Sequence, residues 1–154
     1  MSPNVALPPP WALDALRSTQ VGRLATRRGS GGATEAGADV VDLVPFVFAW
    51  LAGPGAFGRL VSAVDHKPKT RQRLQRFANI ANNPNVTVLL DHYETDWTQL
   101  WWIRIRGVAS ELFGPIEQAE ALDALAEKYD QYFERRPHGA VLSIDITEVR
   151  SWRA

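Results

Sequence analysis

Alternating apolar and polar positions predict β-strands along most of this chain. The clearest case is residues 100–112, where Trp101, Ile103 and Ile105 fall on one face and the intervening residues fall on the other. Shorter runs rich in β-branched and aromatic residues predict further strands at residues 21–26, 40–50, 57–64, 86–90 and 140–147. Pro45 lies inside the second of these runs. Because proline has no N–H to donate, we expect Pro45 at a sheet edge, at a bulge or in a strand that opens onto a ligand.

Helical periodicity predicts two principal helices and one short helix. The short one covers residues 11–18. Another begins after Thr70, a suitable N-cap residue, and ends at the Asn-Asn-Pro of residues 82–84. The clearest begins at Pro115 and carries an apolar stripe from Ile116 to Tyr129. Six strands in mostly hairpin order, with these helices, predict a mainly β, α+β fold: an antiparallel barrel with flanking helices.

The length of 154 residues fits a single domain spanning the chain. Within it, residues 1–10 form a proline-rich arm, and residues 29–37 form a glycine-rich loop that we expect to be flexible. The chain is 45% hydrophobic and 22% charged, without an apolar run of membrane-spanning length or a secretory signal. We therefore expect a cytoplasmic protein with no membrane partner. A formal net charge of zero argues against a nucleic-acid partner.

Positive charge is concentrated at one place in this neutral chain. Residues 67–76 contain five cations, which are Lys67, Lys69, Arg71, Arg73 and Arg76. The arginines begin a predicted helix, where the helix dipole already makes the surroundings positive. An anion such as phosphate or a polycarboxylate would relieve this repulsion. The alternative is a solvated helix start whose charges all point into water.

Histidines and tryptophans offer weaker indications of a site. His66, His92 and His138 lack metal-ligand spacing, and the chain has no cysteine, so we expect no metal. His66 and His92 each follow an aspartate, which suits either a salt-bridged turn or a hydrogen bond to a ligand. Three tryptophans lie close together, at positions 97, 101 and 102. They form either a dimer face with one wall of a ligand pocket, or a small core that closes one end of the barrel.

Several motifs together resemble one known family. They are Asp65-His66-Lys67-Pro68-Lys69, Asn79-Ile80, Asn82-Asn83-Pro84, Asp91-His92-Tyr93, Asp96-Trp97 and Leu100-Trp101-Trp102-Ile103-Arg104-Ile105-Arg106-Gly107. From about residue 21 to residue 152, the chain is similar to the coenzyme F420 (deazaflavin)-dependent members of the pyridoxamine 5′-phosphate oxidase-like, flavin-binding split β-barrel superfamily. The glycine-rich insert after Arg28 departs from the compact hairpin usual in that superfamily.

The resemblance implies a homodimer with the cofactor at the subunit interface. Lys67 and Lys69 match the two positions that hold the cofactor phosphate, although many relatives have arginine at position 67. Arg71 and Arg73 are lesser candidates for the same role. The small side chains and backbone of Ser62, Ala63 and Val64 are expected along the cofactor ring, together with Pro45. Trp97 and Trp101 are the candidates, from their clustering, for one wall of the same pocket.

The implied activity is hydride transfer from reduced coenzyme F420 to a small or medium-sized organic substrate. Because such a cofactor carries the chemistry itself, the sequence identifies no catalytic acid, base or nucleophile. One alternative is an FMN-dependent oxidase or reductase of the same fold, since Lys67 and Lys69 would suit the single phosphate of FMN equally well. Another is a non-enzymatic protein that binds a flavin or a tetrapyrrole.

Overall fold

The computed structural model describes residues 7–29, 40–64 and 71–154, without the side chains of residues 71–74. The described helices are α1 (Pro10–Ser18), α2 (Arg71–Asn82), α3 (Pro115–Lys128) and α4 (Asp130–Glu134). The described strands are β1 (Gly22–Arg27), β2 (Val41–Phe46), β3 (Ala49–Leu51), β4 (Arg59–Ala63), β5 (Asn85–His92), β6 (Trp101–Leu112) and β7 (Val141–Arg153). The proline-rich arm is described only from Leu7, and the glycine-rich loop only at Gly29.

The described strands form one antiparallel sheet in the order β2-β1-β5-β6-β7-β4-β3. This confirms the prediction of a mainly β, α+β fold. The prediction of six strands is wrong, because residues 40–50 form two strands on opposite edges of the sheet. β2 pairs with β1, whereas β3 pairs with β4. The sheet order has two ends, so the barrel is not closed by hydrogen bonds.

The two sheet edges are joined by only two residues, Val47 and Phe48, which we call the seam. Side chains bind the backbone of the seam in place of a neighbouring strand. The Ser62 hydroxyl donates to the Val47 carbonyl oxygen at 2.7 Å. The Phe48 N–H donates to the Tyr129 hydroxyl oxygen at 3.0 Å, and Lys128 Nζ donates to the Phe48 carbonyl oxygen at 2.8 Å. Both carbonyl oxygens of the seam and the Phe48 N–H are thereby hydrogen-bonded, as buried backbone polar groups require.

The main core fills the inside of the curved sheet. The side chains of Leu24, Phe48, Leu60, Ile103 and Ile105 are fully buried there. The predicted alternation of residues 100–112 is therefore confirmed, and the face that carries Ile103 and Ile105 is the core face. Helix α1 covers the end of the barrel where β6 begins, and α2 covers the other end. Two contacts establish these positions: Trp11 packs against Trp101, and the Asn79 side chain of α2 donates to the Thr26 hydroxyl near the end of β1.

A second core lies on the outer face of the sheet, beneath α3 and α4. It joins Val61 and Val141 of the sheet to buried residues of the helices, among them Leu125 and Tyr129. The predicted apolar stripe of α3 is correct only in its C-terminal part, because Ile116 is 84% exposed. The buried residues of α3 begin at Ala121, so its first turn lies beyond this core.

The last strand is longer than the predicted 140–147, because β7 continues to Arg153 in register with Trp101. The register of the β6–β7 pair shifts between Arg106 and Gly107. A Cβ atom at Gly107 would lie 2.6 Å from the Asp145 carbonyl oxygen, so a side chain has no room where these two strands meet.

Candidate functional site

The end of β4 leads toward the segment in which the sequence predicts phosphate binding. Ser62 is buried, and its hydroxyl is already bonded to Val47 of the seam. Ala63 packs against the outer core. Val64 is half-buried and donates its N–H to the Ala140 carbonyl oxygen at 2.9 Å. A molecule bound beside this strand end would therefore meet Val64 and backbone atoms rather than the Ser62 hydroxyl.

The residues that are predicted to bind phosphate come shortly after β4 in the sequence. Lys67 and Lys69 fall outside the described residues. Helix α2 begins at Arg71, as the capping pattern predicts, so Arg71 and Arg73 occupy its first turn. That turn contains no acidic residue. The helix start therefore combines positive side chains with the positive end of the helix dipole.

Trp97 and Trp101 lie at the other end of the barrel. Trp97 belongs to a 3₁₀ turn (Trp97–Gln99) and is 75% exposed. Asp96 caps this turn by accepting from the Thr98 hydroxyl and N–H, and these hydrogen bonds lower the pKa of Asp96. Trp101 is half-buried and packs edge-on against Trp11, with ring centroids 6.2 Å apart. Trp101 thus helps to close the barrel end, whereas Trp97 projects into solvent.

Strand register shows that one subunit does not bring these tryptophans to the end of β4. Ser62 pairs with Leu142 of β7, and Leu142 pairs with Glu111 of β6. Glu111 is ten residues beyond Trp101 on the same strand. At about 3.3 Å per residue, that separation is roughly 30 Å along β6. Pro45 is separate from both, exposed on the edge strand β2 and paired with Arg23. Its predicted position at a sheet edge is confirmed.

The outer face of β5 and β6 is partly apolar, and the described helices pack elsewhere. A shallow depression of about 460 Å³ on this face is lined by Leu89, Asp91, Tyr93, Trp102 and Arg104. Tyr93 is 64% exposed and Leu89 is 38% exposed. The Nε atom of Arg104 is buried without a hydrogen-bond partner among the described residues. We call this surface the β5–β6 face.

A polar cluster absent from the sequence predictions lies at the α2 end of the barrel. The Asn79 side chain donates to the Asp42 carboxylate at 2.8 Å and to the Thr26 hydroxyl at 2.9 Å, and accepts from Gln75 at 2.7 Å. Arg28 Nε and Nη2 donate to the two oxygens of Asp42 at 2.9 and 3.2 Å. The bonds from Arg28, and then from Asn79, hold the pKa of Asp42 below its usual value.

A sequence signal for this cluster did exist. Strand alternation places Thr26 on the same face of β1 as the buried Leu24, and Asp42 on the same face of β2 as Val44. A polar residue on each core-facing side of a hairpin predicts a partner, because buried polar groups need hydrogen bonds. The partner, Asn79, is 37 residues beyond Asp42 on a helix, so its position required the tertiary structure.

The remaining candidate chemistry is limited. Among residues 7–29, 40–64 and 71–154, no group of three or more potential ligands could hold a metal ion. The His92 imidazole contacts the Glu94 carboxylate and stacks on Trp101 at a centroid distance of 6.4 Å. This arrangement agrees with the salt-bridged turn considered for His92.

In the part of the chain that the structure describes, no helix has the length and apolar character needed to cross a bilayer.

Comparison with known proteins identifies the fold. No family model matches the chain, and no curated protein matches it. Among solved structures, the FAD-binding protein of Mycobacterium smegmatis is similar, with 19% identity, a TM-score of 0.62 and coverage of 96% of this chain and 98% of that one. A Corynebacterium glutamicum protein, provisionally named a pyridoxamine 5′-phosphate oxidase, has 21% identity, a TM-score of 0.59 and coverage of 98% and 94%. The heme-binding protein of Mycobacterium smegmatis has 21% identity, a TM-score of 0.64 and coverage of 96% and 55%.

These similarities show that the chain shares its fold with these FAD-binding, heme-binding and pyridoxamine 5′-phosphate oxidase-like structures. Proteins of this fold bind different groups, as the names of the flavin- and heme-binding structures indicate. The choice of cofactor must therefore be argued from the residues of this chain.

Proposed function

We propose that this protein is a homodimeric oxidoreductase that binds the deazaflavin coenzyme F420. When bound, this cofactor supplies a hydride for reduction of a small or medium-sized organic substrate. The observation that carries the proposal is the position of the basic segment. It directly follows β4 and leads into the first turn of α2, which has arginines and no acidic residue. Similarity to a FAD-binding protein of the same fold supports a flavin-type cofactor.

The number of cations favours coenzyme F420 over FMN. Lys67 and Lys69 suffice for the single phosphate that both cofactors carry. Arg71 and Arg73 add positive charge at the helix start, where a phosphate alone does not require them. The anionic glutamate tail of coenzyme F420 would use these additional charges. FMN remains the alternative cofactor.

The dimer is proposed because the site is incomplete within one subunit. The Trp97–Trp101 region and the end of β4 lie at opposite ends of the barrel. A second subunit related by a two-fold axis would place its tryptophans beside the first subunit's β4 end, and the reverse would hold at the other site. The β5–β6 face offers apolar surface and the incompletely bonded Arg104 for such an interface.

The role proposed for the protein is to bind the cofactor and to orient it toward the substrate. Lys67 and Lys69 would hold the phosphate, while Val64 and the backbone beside it would provide an apolar contact for the cofactor ring. The substrate would enter the pocket beside the tryptophans of the second subunit. We assign no catalytic acid or base to this chain.

Cofactor titration tests the proposal. We expect purified protein to bind coenzyme F420 more tightly than FMN, and the affinity for coenzyme F420 to fall more steeply with added salt. Substituting Lys69→Ala should weaken binding by about 1.5–3 kcal/mol, or roughly tenfold to a hundredfold, through loss of a charge-assisted contact. Fluorescence titration measures both effects. Arg17→Ala is the matched control, because Arg17 is an exposed arginine outside the basic segment.

Two results would contradict this proposal in different ways. Unchanged affinity for both cofactors in the Lys67→Ala, Lys69→Ala double variant would show that the basic segment is only a solvated helix start. Tight binding of heme, followed by its visible absorption, with no binding of either flavin would favour the tetrapyrrole-binding alternative. One similar structure is a heme-binding protein, which supports that alternative.

A further inference from the structure

A cavity of about 360 Å³ lies at the α2 end of the barrel, between the β1–β2 hairpin and α2. Its lining combines charged, polar and apolar side chains: Thr26, Arg28, Asp42, Leu43, Val44, Gln75 and Arg76. The volume lies within the range typical of small-molecule sites, roughly 300–1,000 Å³. Two guanidinium groups and one carboxylate lie on its walls. We call it the hairpin cavity.

The carboxylate in the hairpin cavity is already engaged by the protein. Asp42 accepts two hydrogen bonds from Arg28 and a third from Asn79. These contacts lower the pKa of Asp42, so it stays ionised at neutral pH. An incoming cation would have to compete with Arg28 for this carboxylate. The wall is therefore poorly suited to bind a cation.

Arg28 is held in a fixed orientation. It contacts Asp42 side-on through Nε and Nη2. Because a guanidinium is planar, this contact directs Nη1 away from Asp42. Guanidinium donors whose orientation is already fixed bind a carboxylate at a lower entropic cost than a freely rotating side chain. Arg76, one helical turn after the start of α2, places a second guanidinium on the same cavity wall.

The polar cluster behind Arg28 is costly for stability alone. Asn79 is 1% exposed and Thr26 is 3% exposed, so the protein desolvates both at the edge of its apolar core. Apolar side chains of similar volume would often stabilise such a place at least as well as a buried polar network. The cluster holds Asp42, and Asp42 in turn orients Arg28. Packing alone would not require this arrangement.

We propose that the hairpin cavity binds a carboxylate group of a small organic anion, with Arg28 and Arg76 as the donors. Two sources share this chemistry. One is a free polycarboxylate of about the size of citrate. The other is a glutamate of the cofactor tail, and this form alone rests on the proposed function.

The test compares variants that each remove one guanidinium group from the hairpin cavity. In Arg28→Gln with Asp42→Asn, a neutral amide pair replaces the ion pair, so neither charge is left without its partner. Arg76→Gln removes the second guanidinium. Arg17→Gln is the matched control, since Arg17 is exposed and lies on α1 at the other end of the barrel. Thermal unfolding checks that each variant is folded.

Calorimetric titrations use four probes: citrate, inorganic phosphate, coenzyme F420 with its glutamate tail, and the deazaflavin 5′-phosphate without the tail. We expect each variant that lacks a guanidinium to lose about tenfold in affinity for a carboxylate probe, the usual effect of one charge-assisted contact. A loss for tailed but not tail-less cofactor assigns the carboxylate to the tail. If citrate binds and its affinity depends on both Arg28 and Arg76, the bound carboxylate belongs to a free anion, even if no deazaflavin binds.

The inference is overturned in two cases. In one, citrate fails to bind and the variants bind tailed cofactor as tightly as the original protein does. In the other, citrate, phosphate and both deazaflavins all fail to bind. The first case leaves the proposed cofactor intact. A different result, in which neither deazaflavin binds but citrate binds and depends on the arginines, would contradict the proposed cofactor and support the inference.

Discussion

Lys128 lies in an unusual environment for a lysine, at the C-terminal end of α3 and against the seam. Its ammonium is 3.9 Å from the centroid of the Phe48 ring and donates to the Phe48 carbonyl oxygen. Burial lowers the pKa of Lys128 to about 8. Burial also raises the pKa of the neighbouring Tyr129 to about 12, although its hydrogen bond with Phe48 acts in the opposite direction. Two titratable side chains, Lys128 and Tyr129, therefore form hydrogen bonds with the backbone of Phe48.

These pKa values predict how stability changes in alkaline solution. Between about pH 8 and 10, the unfolded chain keeps a proton on Lys128 that the folded protein has lost, so the free energy of unfolding should rise with pH. Above about pH 10, Tyr129 should reverse the trend, because the folded protein retains the tyrosine proton longer than the unfolded chain does. Urea unfolding at intervals from pH 7 to pH 11 measures both slopes.

Lys128→Met isolates the contribution of the lysine. Methionine keeps much of the apolar stem against Phe48, and the Phe48 carbonyl oxygen retains its contact with the Tyr129 hydroxyl at 2.9 Å. The variant should fold and should lose the rise between pH 8 and 10 relative to the original protein. An identical rise in the variant would show that another group causes it.

The β6–β7 pair is the longest ladder of the sheet and connects its two halves. The pair requires glycine at position 107, where a Cβ atom would lie 2.6 Å from both the Asp145 carbonyl oxygen and the Ile144 side chain. The register also shifts at this position, so two residues of β7 are accommodated beside it. Because the Asp145 carbonyl is part of the backbone of β7, it can shift little to admit a new side chain at position 107.

Gly107→Ala should therefore destabilise the protein by about 1–3 kcal/mol, the usual range for overpacking. Gly55→Ala is a matched control, because a Cβ atom there meets no atom within 4 Å. Chemical denaturation measures both variants. Equal stability of the two would mean that the β6–β7 pair separates easily to admit a methyl group.

The sequence predicted individual elements better than their connections. Alternation correctly located the interior face of β6, and capping residues correctly located the start of α2. The apolar run at residues 40–50 did not reveal that the chain crosses from one sheet edge to the other after Phe46. Periodicity gives the faces of a segment, whereas the pairing partner depends on distant strands. For the same reason, the contacts of Asn79 and Lys128 were not predictable from local pattern.

At the scale of the whole molecule, the β5–β6 face is the surface that the proposed dimer would cover. Its depression combines the exposed Leu89 and Tyr93 with opposite charges on Asp91 and Arg104. A two-fold axis would bring Arg104 of each subunit toward Asp91 of the other, as a self-complementary interface requires. Apolar surface of this kind, rimmed by polar groups, is typical of protein interfaces.

Leu89→Glu should weaken this dimer at least about tenfold, or on the order of 1.4 kcal/mol, by placing a charge in apolar contact. Phe133→Glu is the control, because Phe133 is 78% exposed on α4 and away from this face. Sedimentation velocity of both variants and the original protein gives their oligomeric states. A monomeric original protein at high micromolar concentration would contradict both the interface and the shared pocket.

The seam also affects the risk of aggregation through exposed strand edges. An open sheet normally offers unpaired N–H and C=O groups on which a strand from another molecule can assemble. Here one edge strand, β3, has only three residues, and the other, β2, contains Pro45, which cannot donate. Between them, Ser62, Tyr129 and Lys128 already bind both carbonyl oxygens of the seam and the Phe48 N–H. The barrel can therefore remain unclosed without presenting a long template for amyloid-like growth.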